Sequence, residues 1–130
     1  MEMGLYRMGE CIKGAGQVMK LVILESPYAE DIKIHIDYAR ACMRDCFNRG
    51  EAPFASHLLY TQPGILDDTD PEERKQGIEA GLLWGKHADK TVVYCDLGIT
   101  PGMIEGMNRA DKEGRKIEKR FIFIINGLNI

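Results

Sequence analysis

Short apolar runs alternate with amphipathic helical segments along this chain, helix starts carry aspartate–proline or threonine–proline caps, and polar residues follow each apolar run. Together these features predict an α/β protein: a Rossmann-like (flavodoxin-like) three-layer α/β/α sandwich around a parallel sheet of four to five strands. Strand–helix–strand units cross over right-handedly, so the helices cover both faces of one sheet. A chain of 130 residues suffices for one domain with a real core. Residues 1–19 mix glycine, methionine and charge without a period and read as an N-terminal extension, leaving 20–130 as the domain.

The elements follow in order. Leu21-Val22-Ile23-Leu24 is apolar without alternation, as in a strand covered on both faces. From Asp31 onward, Ile32, Ile36, Ala39, Met43 and Cys46 recur at helical spacing, and Gly50 is placed to stop that helix after Arg49. Residues 52–55 form a short second strand. The connection SHLLYTQPGILDDTD that follows is long for a compact domain, where such loops are usually functional or mobile. Asp70-Pro71-Glu72-Glu73 offers an acidic N-cap, proline at the first helical position and glutamate at the third, opening a helix to about His87. Thr91 to Cys95 is a β-branched strand that stops at Asp96. Thr100-Pro101 starts a helix with Ile104, Met107 and Ala110 on one face, and Gly114 ends it. Residues 120–125 supply a last apolar strand.

Composition narrows the function classes. Apolar residues make up 45% and charged residues 28%, which is ordinary for a globular domain. The net charge of −3 and pI of about 5.6 leave no basic face for duplex nucleic acid. No apolar run approaches the ~20 residues of a membrane span and no signal-peptide pattern opens the chain, so a cytoplasmic protein is expected. Cys11, Cys42, Cys46 and Cys95 lack metal-ligand spacing and read as reduced, mostly buried thiols. His35, His57 and His87 are too scattered for a metal site. A G-x-G-x-x-G turn, a Walker A lysine motif and a G-x-S-x-G elbow are all absent, which excludes three familiar chemistries.

In parallel sheets ligands bind beyond the carboxyl ends of the strands. The residues there include Ser26, Pro27, Tyr28, His57, Asp96 and the segment Thr100-Pro101-Gly102-Met103-Ile104-Glu105, so a polar ligand site is expected along that edge. Ser26-Pro27 sets a turn that either lines this site or simply caps the following helix. The helix start at Thr100 suits an anion such as phosphate, or is a plain cap. His57 either faces the ligand or bonds to backbone.

The segments "SPY", "HLLYTQPGILDD", "DPEERKQGIEAGLLWGKHAD", "KTVVYCD" and "ITPGMIEGMNRADKEGRKI" together resemble the nucleoside 2-deoxyribosyltransferase-like proteins, in particular a small branch common in bacteria and their phages. The likeness spans residues 20–117. It implies a homo-oligomeric enzyme that needs no organic cofactor and cleaves the N-glycosidic bond of a nucleoside or nucleotide, in a bacterial cytoplasm or that of a phage host. Glu105, three residues after Gly102, matches the family's carboxylate nucleophile. A carboxylate suits an oxocarbenium-like centre because its attack divides displacement of the base into two easier steps. By the same resemblance, the turn with Ser26 and Tyr28 lines the sugar and base pocket, and Pro27, His57, Asp96, Thr100, Gly102 and Met103, placed at the same edge by topology, are the further candidate substrate-binding residues. The pattern departs at Gly81, where family enzymes carry an aspartate that handles the leaving base or the sugar, and Glu79 and Asp96 are the acids left to replace it. That departure keeps a second reading open, a catalytically inactive module that senses or sequesters a nucleotide-derived ligand. A third is an interaction protein whose pocket has decayed.

Overall fold

A computed structural model describes residues 12–13, 17–125 and 128–129, with side chains from 18 to 123. Most of the 1–19 extension and Cys11 lie outside the described residues. Four parallel strands form the main sheet: β1 (Lys20–Glu25), β2 (Glu51–Phe54), β3 (Lys90–Tyr94) and β4 (Lys116–Arg120), in the order β2-β1-β3-β4. The helices are α1 (Ile32–Asn48), a single turn α2 (Ser56–Leu59), α3 (Pro71–Gly85) and α4 (Pro101–Lys112). Two-residue antiparallel ladders pair Ile12–Lys13 with Gln17–Val18 and Ile124–Ile125 with Leu128–Asn129. This is the expected Rossmann-like three-layer fold with the flavodoxin-type strand order.

Helix α1 covers one face of the sheet. Its Tyr38, Cys42 and Cys46, spaced by four, pack on Val22 and Leu24 of β1 and on Val92 and Tyr94 of β3. The inward stripe is rotated from the sequence expectation: Ile32 is exposed, while Cys42, outside the predicted stripe, is fully buried. The phenol of Tyr38 donates to Asp96 (2.6 Å), which lets an aromatic residue serve as core while satisfying its polar end. Helices α3 and α4 cover the other face, where α4 buries Met103, Gly106 and Ala110. Sequence spacing predicted Ile104, Met107 and Ala110, but Ile104 is exposed, because the true inward position carries a glycine and so leaves no apolar signal.

The predicted caps are present. Asp70 accepts the backbone N–H of Glu72 at the start of α3, and Thr100 accepts that of Met103 at the start of α4. Gly50 (φ 79°) follows α1, and Gly114 (φ 69°) follows α4. Helix α3 stops at Gly85, two residues before the expected His87.

The last sheet strand is upstream of the predicted 120–125. It is Lys116-Ile117-Glu118-Lys119-Arg120, whose charges hide its strand character, and two of them, Glu118 and Arg120, belong to a buried ion network. Arg120 makes two bonds to Glu51 (2.7 and 2.6 Å) and one to Glu118 (2.6 Å), and Lys90 reaches both acids at 2.9 and 3.1 Å. The Arg120 and Glu51 side chains are 3% and 6% exposed, so the pair is desolvated and needs each partner. Burial alone would raise the Glu51 pKa, but the bonds from Arg120 and Lys90 outweigh it and hold the carboxyl at about 2. With its folded pKa depressed, Glu51 contributes stability that is complete above about pH 4.5 and lost as pH falls toward 2. Arg120→Ala leaves Glu51 buried and short of its main partner, and is expected to cost about 3–5 kcal/mol in denaturant unfolding at pH 7.

Candidate functional site

From β1 the chain crosses through α1 to β2 on one side, and from β2 it returns through α2 and α3 to β3 on the other. Beyond the carboxyl end of β1, at this reversal of strand order, the structure opens a cavity of ≈ 320 Å³. Its floor is the end of β1 (Ile23, Glu25, Ser26), and its walls come from α2, α3 and the first turns of α4.

Glycine makes the room. Gly77, Gly81 and Gly85 recur every four residues along α3 and all line the cavity. A Cβ on Gly81 would stand 2.6 Å from the Ser56 hydroxyl oxygen and 2.7 Å from its Cβ, so α3 rests directly on the start of α2. A Cβ on Gly85 would press on the Arg115 guanidinium at 3.1 Å. Arg115 is thereby held under the cavity, bonded to Thr91 (3.0 Å), the Gly85 carbonyl (2.6 Å) and Glu113 (2.6 Å).

Helix α4 makes a similar close approach. Gly106 is buried, and a Cβ on it would overlap the Glu25 carboxyl, so that carboxyl lies against bare helix backbone. Glu25 is half-buried and faces the cavity. Burial pushes its pKa up; the Arg115 guanidinium opposes the rise and the Glu105 charge adds to it, leaving it at about 8. At neutral pH Glu25 is therefore mostly a neutral carboxylic acid beside a second acid, Glu105, which sits on the first turns of α4 and is exposed to the cavity.

Ser26 and His57 form the other polar pair, with Ser26 Oγ 2.8 Å from His57 Nε2. Burial lowers the His57 pKa to about 4, so the ring is neutral at pH 7 and the contact fixes the Ser26 hydroxyl. Tyr28 packs edge-on against His57, and Phe54 packs edge-on against Tyr60, so aromatic faces flank the polar floor.

Of the residues predicted from sequence, Ser26, Tyr28, His57, Thr100, Gly102, Met103 and Glu105 all line the cavity. Pro27 is fully buried behind the turn and is not among the lining residues. Asp96 stands apart, on the α1 side of the sheet. It accepts from Tyr38 and from the backbone N–H groups of Ile122 (3.0 Å) and Phe123 (3.0 Å), which fix the chain after β4. Glu79 is also outside the lining, on the solvent side 4.0 Å from Arg109. Neither acid suggested as a replacement at Gly81 reaches the cavity. The acid that does is Glu25, which the sequence places at the binding edge after β1 but gives no role there, because it looks like the polar end of an apolar strand. The signal available was a carboxyl directly at the switch point.

A family model described as "Domain of unknown function (DUF7768)" matches residues 20–120. No curated protein matches the chain significantly. Among solved structures, the chain is similar to a 2-deoxyribosyltransferase from the psychrotolerant bacterium Bacillus psychrosaccharolyticus, with a TM-score of 0.55 and 22% identity over 82% of this chain and 77% of that one. The likeness is one of fold.

The two cavity groups with shifted pKa values have opposite effects on stability. Glu25 has its folded pKa raised, so between about pH 4.5 and 8 the folded chain keeps a proton that the unfolded chain has released, and stability falls as pH rises. His57 has its folded pKa lowered, so stability falls as pH drops from about 6.5 toward 4. Glu25→Gln is expected to leave unfolding stability nearly unchanged at pH 4.5 and to raise it by about 3 kcal/mol at pH 8.5, after allowing for water in the cavity. Urea unfolding of both proteins across that range measures the difference.

Proposed function

Because the chain belongs to the DUF7768 family, whose description assigns no chemistry, we propose from the cavity itself that it binds a nucleoside and cleaves the N-glycosidic bond, with Glu105 as the carboxylate that meets the anomeric carbon. The observation that carries this reading is the placement of Glu105 beside a second acid in a cavity with aromatic walls, at the switch point of the sheet. The fold shared with a 2-deoxyribosyltransferase supports it.

The lining suits each part of a nucleoside. Tyr28 and Phe54 offer aromatic surface to a base, and Ser26, oriented by His57, offers a hydroxyl to the sugar. Glu105 Oε attacks C1′ while the electron pair of the C1′–N bond leaves with the base, giving a glycosyl ester. Water or the N–H of an incoming base then attacks C1′ and releases Glu105. The first outcome is hydrolysis and the second is deoxyribosyl transfer.

Charge bears on the substrate. Four acids line the cavity, Glu25, Asp68, Glu73 and Glu105, against two arginines. Arg74 is bonded to Asp68 (2.9 Å) and Arg115 to Glu113 (2.6 Å), so the described lining offers a phosphate no uncommitted cation. An uncharged nucleoside fits better than its monophosphate.

Incubating the protein with deoxynucleosides, ribonucleosides and their 5′-monophosphates, and following free base by chromatography, tests the reading. Release from a nucleoside is expected, at least about tenfold faster than from its monophosphate and reduced about 10³-fold or more in Glu105→Gln. Absence of release with saturable binding would leave a nucleotide-binding module instead.

A further inference from the structure

Departure of a base is costly unless a proton reaches it, because an anionic heterocycle is a poor leaving group, and position 81 holds no acid. Gly81 has no space for one, since any Cβ there would collide with Ser56. We infer that Glu25, delivered from the end of β1 into the space left by Gly106, is the proton donor to the leaving base. This rests on the reading of the cavity as a glycosidic-bond site.

Placement argues for the role first. Glu25 is the acid on the cavity floor, at the base of the pocket that Glu105 faces from α4, and the two are close enough for the Glu105 charge to raise the Glu25 pKa. Gly106 is what admits it: a larger residue would occupy the position of the carboxyl. Gly106 thus acts as a positioning residue. Of the charged and titratable groups, Arg115 and Glu105 act on Glu25 directly, and His57, Asp68, Glu73 and Arg74 line the same cavity. Burial, opposed by Arg115 and reinforced by Glu105, keeps the carboxyl protonated up to about pH 8, as a general acid working near neutrality requires.

The step balances. As Glu105 forms its bond to C1′, the C1′–N pair moves onto the base and the Glu25 proton joins a ring nitrogen, so the base leaves neutral and Glu25 becomes a carboxylate. In the second half, Glu25 takes the proton from the attacking water, or from the N–H of the acceptor base, and both acids return to their starting states.

The test compares 2′-deoxyguanosine with N7-methyl-2′-deoxyguanosine, whose cationic base leaves neutral without a proton. Glu25→Gln is expected to lower kcat/KM for the unmethylated substrate by about 10²–10³-fold and for the methylated one by less than about fivefold. For the wild type, kcat/KM with 2′-deoxyguanosine is expected to fall above about pH 8, a limb that Glu25→Gln abolishes, and the two substrates are compared at about pH 6, where the methylated base is cationic. Gly106→Ala keeps the acid but displaces its carboxyl, and is expected to show the same selective loss. Equal loss on both substrates, or an alkaline limb that persists in Glu25→Gln, would overturn the role of Glu25 while leaving Glu105 cleavage intact. A wild type that releases base from neither substrate would overturn the cleavage reading and the role of Glu25 with it.

Discussion

Helix α4 meets the end of β1 at a residue with no side chain, and the rest of the site depends on that contact. With Gly106 bare, the Glu25 carboxyl lies against the helix backbone and turns into the cavity. The same approach brings Glu105, one residue earlier on α4, to face the same space. A single methyl group at position 106 would push the Glu25 carboxyl out of this place. The α3 glycines repeat the device on the opposite wall, where Gly81 lets the helix rest on Ser56 and Gly85 lets it pass over Arg115.

The two faces of the sheet carry different physical loads. On the α1 face, a close-packed cluster of Val22, Leu24, Val92, Tyr38 and two cysteines is joined to a desolvated ion network in which Arg120, Glu51, Lys90 and Glu118 satisfy one another. That face is scaffold. On the other face, the packing is interrupted by glycines and by an acid held neutral in a partly dry pocket, an arrangement that lowers stability at neutral pH. Functional groups are commonly held in such unfavourable settings, because a carboxyl that is comfortable in water has the pKa of water-exposed acids and cannot serve as an acid at pH 7.

Much of this was legible in the sequence. The apolar run at Leu21, the aspartate–proline start of α3 and the threonine–proline start of α4 each mark an element through local chemistry, and the loops after the strands mark the binding edge through topology. What sequence pattern missed has a common cause. Gly106 contributes to the inward face of α4 by what it lacks, so Ile104 and Met107 drew the predicted stripe away from it. Strand β4 carries charges, of which Glu118 and Arg120 pair with Lys90 and Glu51 while Lys116 and Lys119 are exposed, so the apolar residues after it looked like the strand. Asp96 and Glu25 both end strands, and only three-dimensional placement shows that one ties down the chain at Ile122 while the other opens into the cavity.

The proposed role of Glu105 as the attacking carboxylate is tested most directly by trapping. A 2′-deoxy-2′-fluoroarabino nucleoside slows the second half of a double displacement and leaves the sugar on the attacking carboxylate, where peptide mass spectrometry locates it. The expected result is one fluorinated sugar on the peptide that carries Glu105, with Glu25 unmodified. A sugar on Glu25, or steady turnover of this analogue with no adduct on Glu105, would contradict the assignment of Glu105 as the nucleophile.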